Sequence, residues 1–161
     1  MKIIFKYLLI CLVGTALLQS CKKEGFSGTT DNRPAIPVTV VNAMDYRPDP
    51  AVFASRATGI ISIQLTIPSS SGRSIKEITR VSASTTASGV QLTTGLYNTA
   101  PIPGSGNNAT FNTTFTEYIA KAGGTIPTTN NTELAKRFYF LITLDDGTTI
   151  IPEPVRVVVV P

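Results

Sequence analysis

The sequence predicts an all-β domain that folds as a sandwich of two sheets. About seven short apolar runs, rich in β-branched residues, recur through residues 35–161, and clusters of Gly, Pro, Asn, Asp and Ser separate them. The run at 59–67 alternates strictly between apolar and polar residues, which is the pattern of a strand with one buried face. The turn Asp145-Asp146-Gly147 joins two further runs, and an Asp-Gly step allows the positive φ that a tight hairpin needs.

The first half of the domain is expected to hold three strands. Residues 35–43 form the first, and Pro37 indicates an edge strand or a strand start because proline cannot donate a ladder hydrogen bond. A turn-rich connection at 45–50 follows, and then the alternating strand at 59–67. The apolar residues of 74–84 fit both a helical and an alternating spacing, but the β-branched content of this run favours a strand.

The second half of the domain mixes strands, loops and one short helix. Thr114 and Glu117 have the spacing of a helix N-terminal capping box, and Gly123 suits a C-terminal cap, so a helix is expected at 115–122. In chain order, the other expected elements are a strand at 90–98, a loop at 100–108, a strand at 109–115, a loop at 125–131 and a single turn at 132–136.

A C-terminal hairpin is the strongest local signal, with its two strands at 137–144 and 148–160. Pro152 and Pro154 interrupt the returning strand, so this strand is expected to break, to resume at Val155 and to change sheets there. The residues expected to share the buried face of the first strand are Phe138, Phe140, Ile142 and Leu144.

Short strands at this spacing resemble those of immunoglobulin-like and fibronectin type III domains. The resemblance implies a single β-sandwich of about seven strands. The disulfide and the tryptophan of antibody domains are missing, because the chain has no Trp and its two cysteines, Cys11 and Cys21, precede the domain. A small barrel is the alternative fold.

The N-terminus has the form of a signal peptide. Two lysines precede a 12-residue apolar run at 7–18, which is too short for a spanning helix of about 20 apolar residues. The following Leu18-Gln19-Ser20-Cys21 resembles the lipobox of bacterial lipoproteins, although a small residue is commoner at the position of Gln19. The resemblance implies cleavage between Ser20 and Cys21 and a lipid on the Cys21 thiol. An ordinary secretory signal cut elsewhere and an uncleaved anchor are the alternatives.

The segment after Cys21 is polar and rich in Gly, Ser and Thr, which is typical of a flexible tether. We therefore expect a signal peptide at 1–20, a lipidated tether at 21–34 and one domain at 35–161. Lys22-Lys23-Glu24 partly resembles the start of surface lipoproteins of Bacteroidota, which carry Lys and then acidic residues after the lipidated Cys. That resemblance implies an outer-membrane lipoprotein anchored by its N-terminal lipid, and it leaves open which leaflet the domain faces.

Composition excludes several classes of function. The chain has no His, which excludes Ser-His-Asp and Cys-His catalysis and His-ligated zinc. Its formal charge is only +4, two of its lysines lie in the signal peptide, and its arginines are scattered, so nucleic-acid binding is not expected. We expect no enzymatic activity and no cofactor.

Only a few residues are candidates for a site. Asp145 and Asp146 are the only adjacent carboxylates and could bind Ca²⁺ together with another loop. Because they precede Gly147, however, they are interpreted first as turn-forming residues. No metal site is therefore predicted. Gly104-Ser105-Gly106 lacks the Lys-Ser/Thr of a phosphate loop and is expected to be a surface turn.

Tyrosines near loops are the remaining candidates. Tyr46 and Tyr97 could line a ligand surface, and Tyr118 lies in a similar position. The alternative is that these tyrosines close the ends of the sandwich core, which is the commoner arrangement.

These observations predict a membrane-anchored envelope lipoprotein that acts as a non-enzymatic binding or assembly module, with loops such as 45–50 and 97–108 available to a partner. The partner would be an envelope protein or a glycan. The alternative function is a glycan-binding accessory of an outer-membrane nutrient-uptake system. A row of exposed aromatic side chains on one sheet face would favour the glycan alternative, and a face of Thr and Ser would count against it.

Overall fold

Ten β-strands in three hydrogen-bonded sheets form the framework of the computed structural model, which describes residues 34–46 and 49–161. The strands are β1 (Thr39–Val40), β2 (Ala51–Ser55), β3 (Ile60–Thr66), β4 (Ile75–Ser84), β5 (Ile102–Pro103), β6 (Asn108–Thr114), β7 (Thr132–Glu133), β8 (Arg137–Leu144), β9 (Thr149–Ile150) and β10 (Arg156–Val160). Two helices, α1 (Ser88–Gln91) and α2 (Phe115–Ala122), and a 3₁₀ turn at Ser69–Ser71 complete the regular structure of these residues. The predicted all-β, sandwich-like fold is confirmed, with more and shorter strands than predicted.

The three sheets have the strand orders β1-β3-β6, β2-β10-β7 and β5-β4-β8-β9. Neighbouring strands are antiparallel except for β2 and β10, which run parallel with Ala51 opposite Arg156 and Ser55 opposite Val160. This pairing joins strands about a hundred residues apart, so contacts distant in sequence hold the sheet together.

A single buried cluster lies between the inward faces of the strands. Alternation places Ile61, Ile63 and Leu65 of β3 in this cluster, while Ser62, Gln64 and Thr66 face outward. Phe138 is central, because its ring centroid lies 5.3 Å from that of Phe111, 5.4 Å from that of Tyr97 and 6.0 Å from that of Tyr118. The predicted buried face of β8 is confirmed, since all four of its members are fully buried.

Helix α2 begins and ends as its sequence predicts. The Thr114 hydroxyl accepts a hydrogen bond from the Glu117 N–H at 3.2 Å, which satisfies one of the free donors at the start of the helix. Gly123 ends the helix in the left-handed conformation, with φ +66°, and its N–H bonds to the Ile119 carbonyl. The inward side of the helix buries Phe115 and Tyr118 against the core.

The C-terminal strand changes sheets as predicted. β9 pairs with β8 near Ile142, and Val155 still exchanges two backbone hydrogen bonds with Phe138, at 2.8 and 2.9 Å. From Arg156 onward the chain pairs instead with β2 and β7 of another sheet. The two prolines lie between these pairings, where a missing N–H breaks no ladder bond.

The predicted strand at 90–98 is wrong. The structure has helix α1 there, followed by turns in which Leu92 is exposed and Gly95 has a φ of +69°. Gly89 lets α1 lie close against β4, because a Cβ at this position would come within 2.4 Å of the Ser82 hydroxyl. Val90 is the fully buried residue of α1, so it is apolar because the helix packs against the core and not because it lies in a strand.

Four other segments differ from the predictions. The expected turn at 132–136 contains β7, which pairs with β10, and the expected loop at 100–108 contains β5, which pairs with β4. β2 was not predicted at all. The strand expected at 35–43 is reduced to β1, which is an edge strand as Pro37 indicated. These strands are too short to show a periodic pattern, and each forms only because it pairs with a strand that is distant in sequence.

Candidate interaction surfaces

Exposed apolar side chains concentrate in the segment from β1 to β2. Of the seven large apolar side chains that are exposed among the described residues, four lie between positions 41 and 53. We call these four the apolar surface: Val41, Met44, Tyr46 and Phe53. Met44 is the most exposed, at 68 %. Single exposed apolar side chains are common on soluble proteins, but four of them within thirteen residues make this segment the candidate interaction site of the described residues.

Hydrogen bonds hold this segment against the sheets. The Asn42 side chain acts as a clamp on β3, because its amide donates to the Ser62 carbonyl at 2.9 Å and its carbonyl accepts from the Gln64 N–H at 3.0 Å. The Met44 N–H donates to the Ala51 carbonyl at 2.8 Å, and the Ala51 N–H donates to the Asp45 carbonyl at 2.7 Å. These two backbone bonds fold the chain back onto Ala51. The apolar surface is therefore presented in a defined conformation.

The Tyr46 side chain lies across the end of β1. Its hydroxyl donates a hydrogen bond to the Val40 carbonyl at 2.7 Å, while about half of the side chain stays exposed. Tyr46, which the sequence singles out as a possible ligand contact, is thus at the surface and belongs to the apolar surface.

An ionic cluster fixes the other end of the connection at 45–50. The guanidinium of Arg156, on β10, is buried and donates to the Asp49 carbonyl through Nε at 3.0 Å and Nη2 at 2.8 Å. Its Nη1 donates to the Glu133 carboxylate, and Asp45 lies 3.6 Å from Nη2. Arg137 adds a bond of 2.5 Å to the Asp49 carboxylate. These acids are isolated in the sequence, and the one signal that could have revealed the cluster is an arginine inside the apolar run of β10.

Tyr97 lies in the core and not in a ligand surface. Its hydroxyl and that of Thr113 are 2.7 Å apart, and Thr113 donates in turn to the Glu117 carboxylate at 2.8 Å. Lys121 completes the group, with Nζ 3.2 Å from Glu117 and 5.0 Å from the centre of the Tyr97 ring. Burial raises the pKa of Tyr97, and the hydrogen bond from Thr113 lowers the pKa of Glu117. Of the two roles that the sequence allowed for Tyr97, lining a ligand surface or closing the end of the core, the structure shows the second.

Tyr118 occupies an equivalent position on α2. Its side chain is fully buried, and its hydroxyl accepts a hydrogen bond from the Lys136 N–H at 3.0 Å. Burial raises the pKa of this tyrosine as well. Two of the three candidate tyrosines are therefore part of the packing between the sheets.

A shallow cleft lies between β4 and the chain that follows α1. Its volume is about 210 Å³, which is below the range of about 300–1,000 Å³ that is typical of small-molecule sites. Asn98 holds one wall in place, because its side-chain carbonyl accepts from the Val81 N–H at 2.7 Å. The cleft is lined by Thr79, Arg80, Thr93, Leu96, Asn98, Thr99, Ala100 and Pro101. This lining offers hydroxyls, one amide and one cation, but no aromatic ring.

The paired carboxylates act as turn residues. Asp146 accepts a hydrogen bond from the Thr148 N–H at 2.9 Å and lies 2.8 Å from the Arg73 guanidinium, and these contacts lower its pKa. Among residues 34–46 and 49–161, no three His, Cys, Asp or Glu side chains come close enough to hold a metal ion. The turn at Gly104 to Gly106 connects β5 to β6, as predicted.

The outward face of β3 and β6 is polar and uncharged. Its apolar exception is Ile60, at one end. The other outward residues are Ser62, Gln64, Thr66, Asn108, Thr110, Asn112 and Thr114. No aromatic side chain lies in these two outward rows.

The predicted lipidation and cleavage positions, Cys21 and Ser20, lie outside the described residues. Within the described part, no helix is long and apolar enough to cross a bilayer. The chain matches no family model, no curated protein and no solved structure.

Proposed function

We propose that this protein is a lipid-anchored envelope module without enzymatic activity, which binds a protein partner through the apolar surface. The lipid on Cys21 would hold the chain to the outer membrane, and the polar segment after it would let the domain reach the partner. The observation that carries the proposal is the concentration of exposed apolar side chains near residues that are held by hydrogen bonds to β3 and to Ala51 of β2.

The chemistry of this surface favours a protein as the partner. Binding energy at protein interfaces comes mainly from a few apolar and aromatic anchors that are desolvated on contact, and Tyr46, Phe53 and Met44 are residues of this kind. Residues 42–46 and 49–51 are already held by the Asn42 clamp, the backbone bonds to Ala51 and the ionic cluster, so their binding would cost little conformational entropy.

The glycan alternative has less support. Sugar-binding faces stack sugar rings on aromatic side chains, whereas the outward rows of β3 and β6 carry hydroxyls and amides. The cleft beside β4 has no ring in its lining either. Faces of hydroxyls and amides without a row of exposed aromatic rings count against a glycan-binding platform.

Membrane attachment is tested by replacing Cys21→Ala and separating membrane from soluble fractions. We expect the variant to move to the soluble fraction, because it lacks the thiol that the lipid would occupy. A matched Cys11→Ala variant, which changes the apolar run of the signal, should stay in the membrane. Membrane retention of Cys21→Ala would contradict the lipid anchor.

Partner binding is tested by photo-crosslinking in intact cells, with a photoreactive residue placed singly at positions 44, 53, 92 and 119. All four native side chains are about half exposed or more, but only the first two belong to the apolar surface. We expect a protein adduct from positions 44 and 53 and none from 92 and 119. Equal adducts from all four positions, or none from any, would refute binding through this surface.

A further inference from the structure

The outer edge of β6 is an open sheet edge. β6 is seven residues long, pairs with β3 on one side, and ends the order β1-β3-β6. The backbone bonds from Ile67 N–H to Asn107 and from Phe115 N–H to Gly59 show which residues face β3. By alternation, odd-numbered positions of β6 bond to β3, and even-numbered positions direct their N–H and C=O away from it.

Most of these outward groups have no hydrogen-bond partner within the described ranges. Asn108 is satisfied, because its N–H and C=O pair with Ser105 at 3.1 and 2.8 Å. Thr114 is the N-cap of helix α2, and its carbonyl accepts the first backbone hydrogen bond of that helix. Both backbone groups of Thr110 and of Asn112, and the N–H of Thr114, remain open toward the edge in the part of the chain that the structure describes.

β6 lacks the features that natural proteins use to block an open edge. Such edges are usually very short, or carry Lys, Pro or a bulge. Among the other edge strands, β1, β5, β7 and β9 are two residues long, and β5 also contains a proline. β2 is five residues long, and the chain at Met44 and Asp45 covers its start through backbone bonds to Ala51. By contrast β6 reads Asn-Ala-Thr-Phe-Asn-Thr-Thr, with no charge, no proline and a regular register against β3.

We propose that a second copy of this chain adds its own β6 to this edge, antiparallel, with Asn112 on the two-fold axis. The two Asn112 residues would exchange two backbone hydrogen bonds, and each Thr114 N–H would bond to the Thr110 carbonyl of the other copy. The product is a six-stranded sheet that is continuous across the dimer. This inference goes beyond the proposed partner binding and does not depend on it, because the edge of β6 and the apolar surface are different parts of the domain.

Self-complementarity favours a second copy as the occupant. In this register the exposed side chains across the axis pair Asn112 with Asn112 and Thr110 with Thr114. Asn–Asn and Thr–Thr neighbours can bond to each other, and no like charges meet. The uncharged outward row of β6 therefore fits an identical row turned by a half rotation.

Cysteine crosslinking in intact cells tests the proposal and its register. We would introduce Asn112→Cys, and as control Gln64→Cys, which lies on the same outward face one strand further from the edge. Opposed residues of a hydrogen-bonded pair have Cα atoms about 5.5 Å apart, within disulfide range. Two copies of position 64 would lie three strand spacings apart across the sheet and four residues apart along it, ~20 Å in all.

We expect mild oxidation to convert Asn112→Cys to a dimer on a non-reducing gel, and Gln64→Cys and the unmodified chain to stay monomeric. A monomer from Asn112→Cys, an equal dimer from Gln64→Cys, or a mixed disulfide with a different protein would each overturn the proposal. As much dimer from the unmodified chain as from Asn112→Cys would overturn it too.

The second test uses the mass of the detergent-extracted full chain, measured by light scattering. The N–H of position 112 makes no bond to β3, so Asn112→Pro should keep the fold, checked by circular dichroism, and halve the mass. Asn112→Lys, which leaves the backbone donor in place, should do the same by placing two cations at the axis. An unmodified chain that is monomeric, or an Asn112→Lys variant that is still dimeric, would refute the pairing.

Discussion

Truncation of Phe138 is expected to cost more than truncation of Phe140, its neighbour on the buried face of β8. Truncation of a buried Phe to Ala costs about 3–5 kcal/mol through lost transfer energy and the cavity left behind. Phe138 also makes three ring contacts, with Phe111, Tyr97 and Tyr118, whereas the equally buried Phe140 makes one, with Phe111. Each favourable ring pair adds about 0.5–1.5 kcal/mol beyond its buried area.

Phe138→Ala should therefore lower the free energy of unfolding by about 1–3 kcal/mol more than Phe140→Ala, since it loses two additional ring pairs. Urea unfolding followed by far-UV circular dichroism would measure this, because the chain has no Trp for fluorescence. Phe53→Ala, at a half-exposed position, is the control and should stay within about 0.5 kcal/mol of the unmodified protein. Equal costs for Phe138→Ala and Phe140→Ala would refute the reasoning that the two additional ring pairs of Phe138 stabilise the core.

Two further predictions concern charged groups. Arg156→Met should lower the free energy of unfolding by about 1.5–3 kcal/mol, because the Asp49 carbonyl loses its charged donor. Arg137→Met, at an ion pair that stays partly exposed, should cost only about 1 kcal/mol. Similar costs for the two variants in urea unfolding would argue against a special role for Arg156. The pKa of Glu117 is lowered in the folded state, chiefly by the Thr113 hydroxyl, so its stabilising contribution is complete above its ordinary pKa of 4.5 and is lost as the pH falls below that value. The unmodified protein should therefore have a higher unfolding midpoint than Glu117→Gln at pH 7, and the difference should shrink at pH 3. The same difference at both pH values would contradict a contribution from the Glu117 carboxylate.

Elements whose pattern is local were predicted from the sequence. β3, the hairpin strand β8 and helix α2 each carry their own evidence, as strict alternation, as an apolar face beside an Asp-Gly turn, or as a capping box. The break between β9 and β10 was also visible, because two prolines cannot continue a ladder. In these segments the local preference of the chain agrees with its place in the fold.

Elements that exist only through distant partners were missed or misassigned. β2 and β7 are short and have no clear periodicity, and each is a strand because it pairs with β10. Residues 90–98 contain apolar residues at strand-like spacing, but Gly89 lets the helical turn of α1 pack against β4, and turns follow it. Sequence periodicity carries no information on a partner that lies tens of residues away.

The same division applies to the candidate surfaces. The sequence alone determined the class of fold, the apolar N-terminal run with its Cys21, and the absence of histidine chemistry, because these depend on composition and on neighbouring residues. Only the tertiary structure decided that Tyr97 is buried while Tyr46 is exposed, that Arg156 gathers acids from two other segments, and that β6 is left as an open edge. Burial and pairing depend on which strand lies opposite, and that choice is made by the packing of the whole chain and not by any one segment of it.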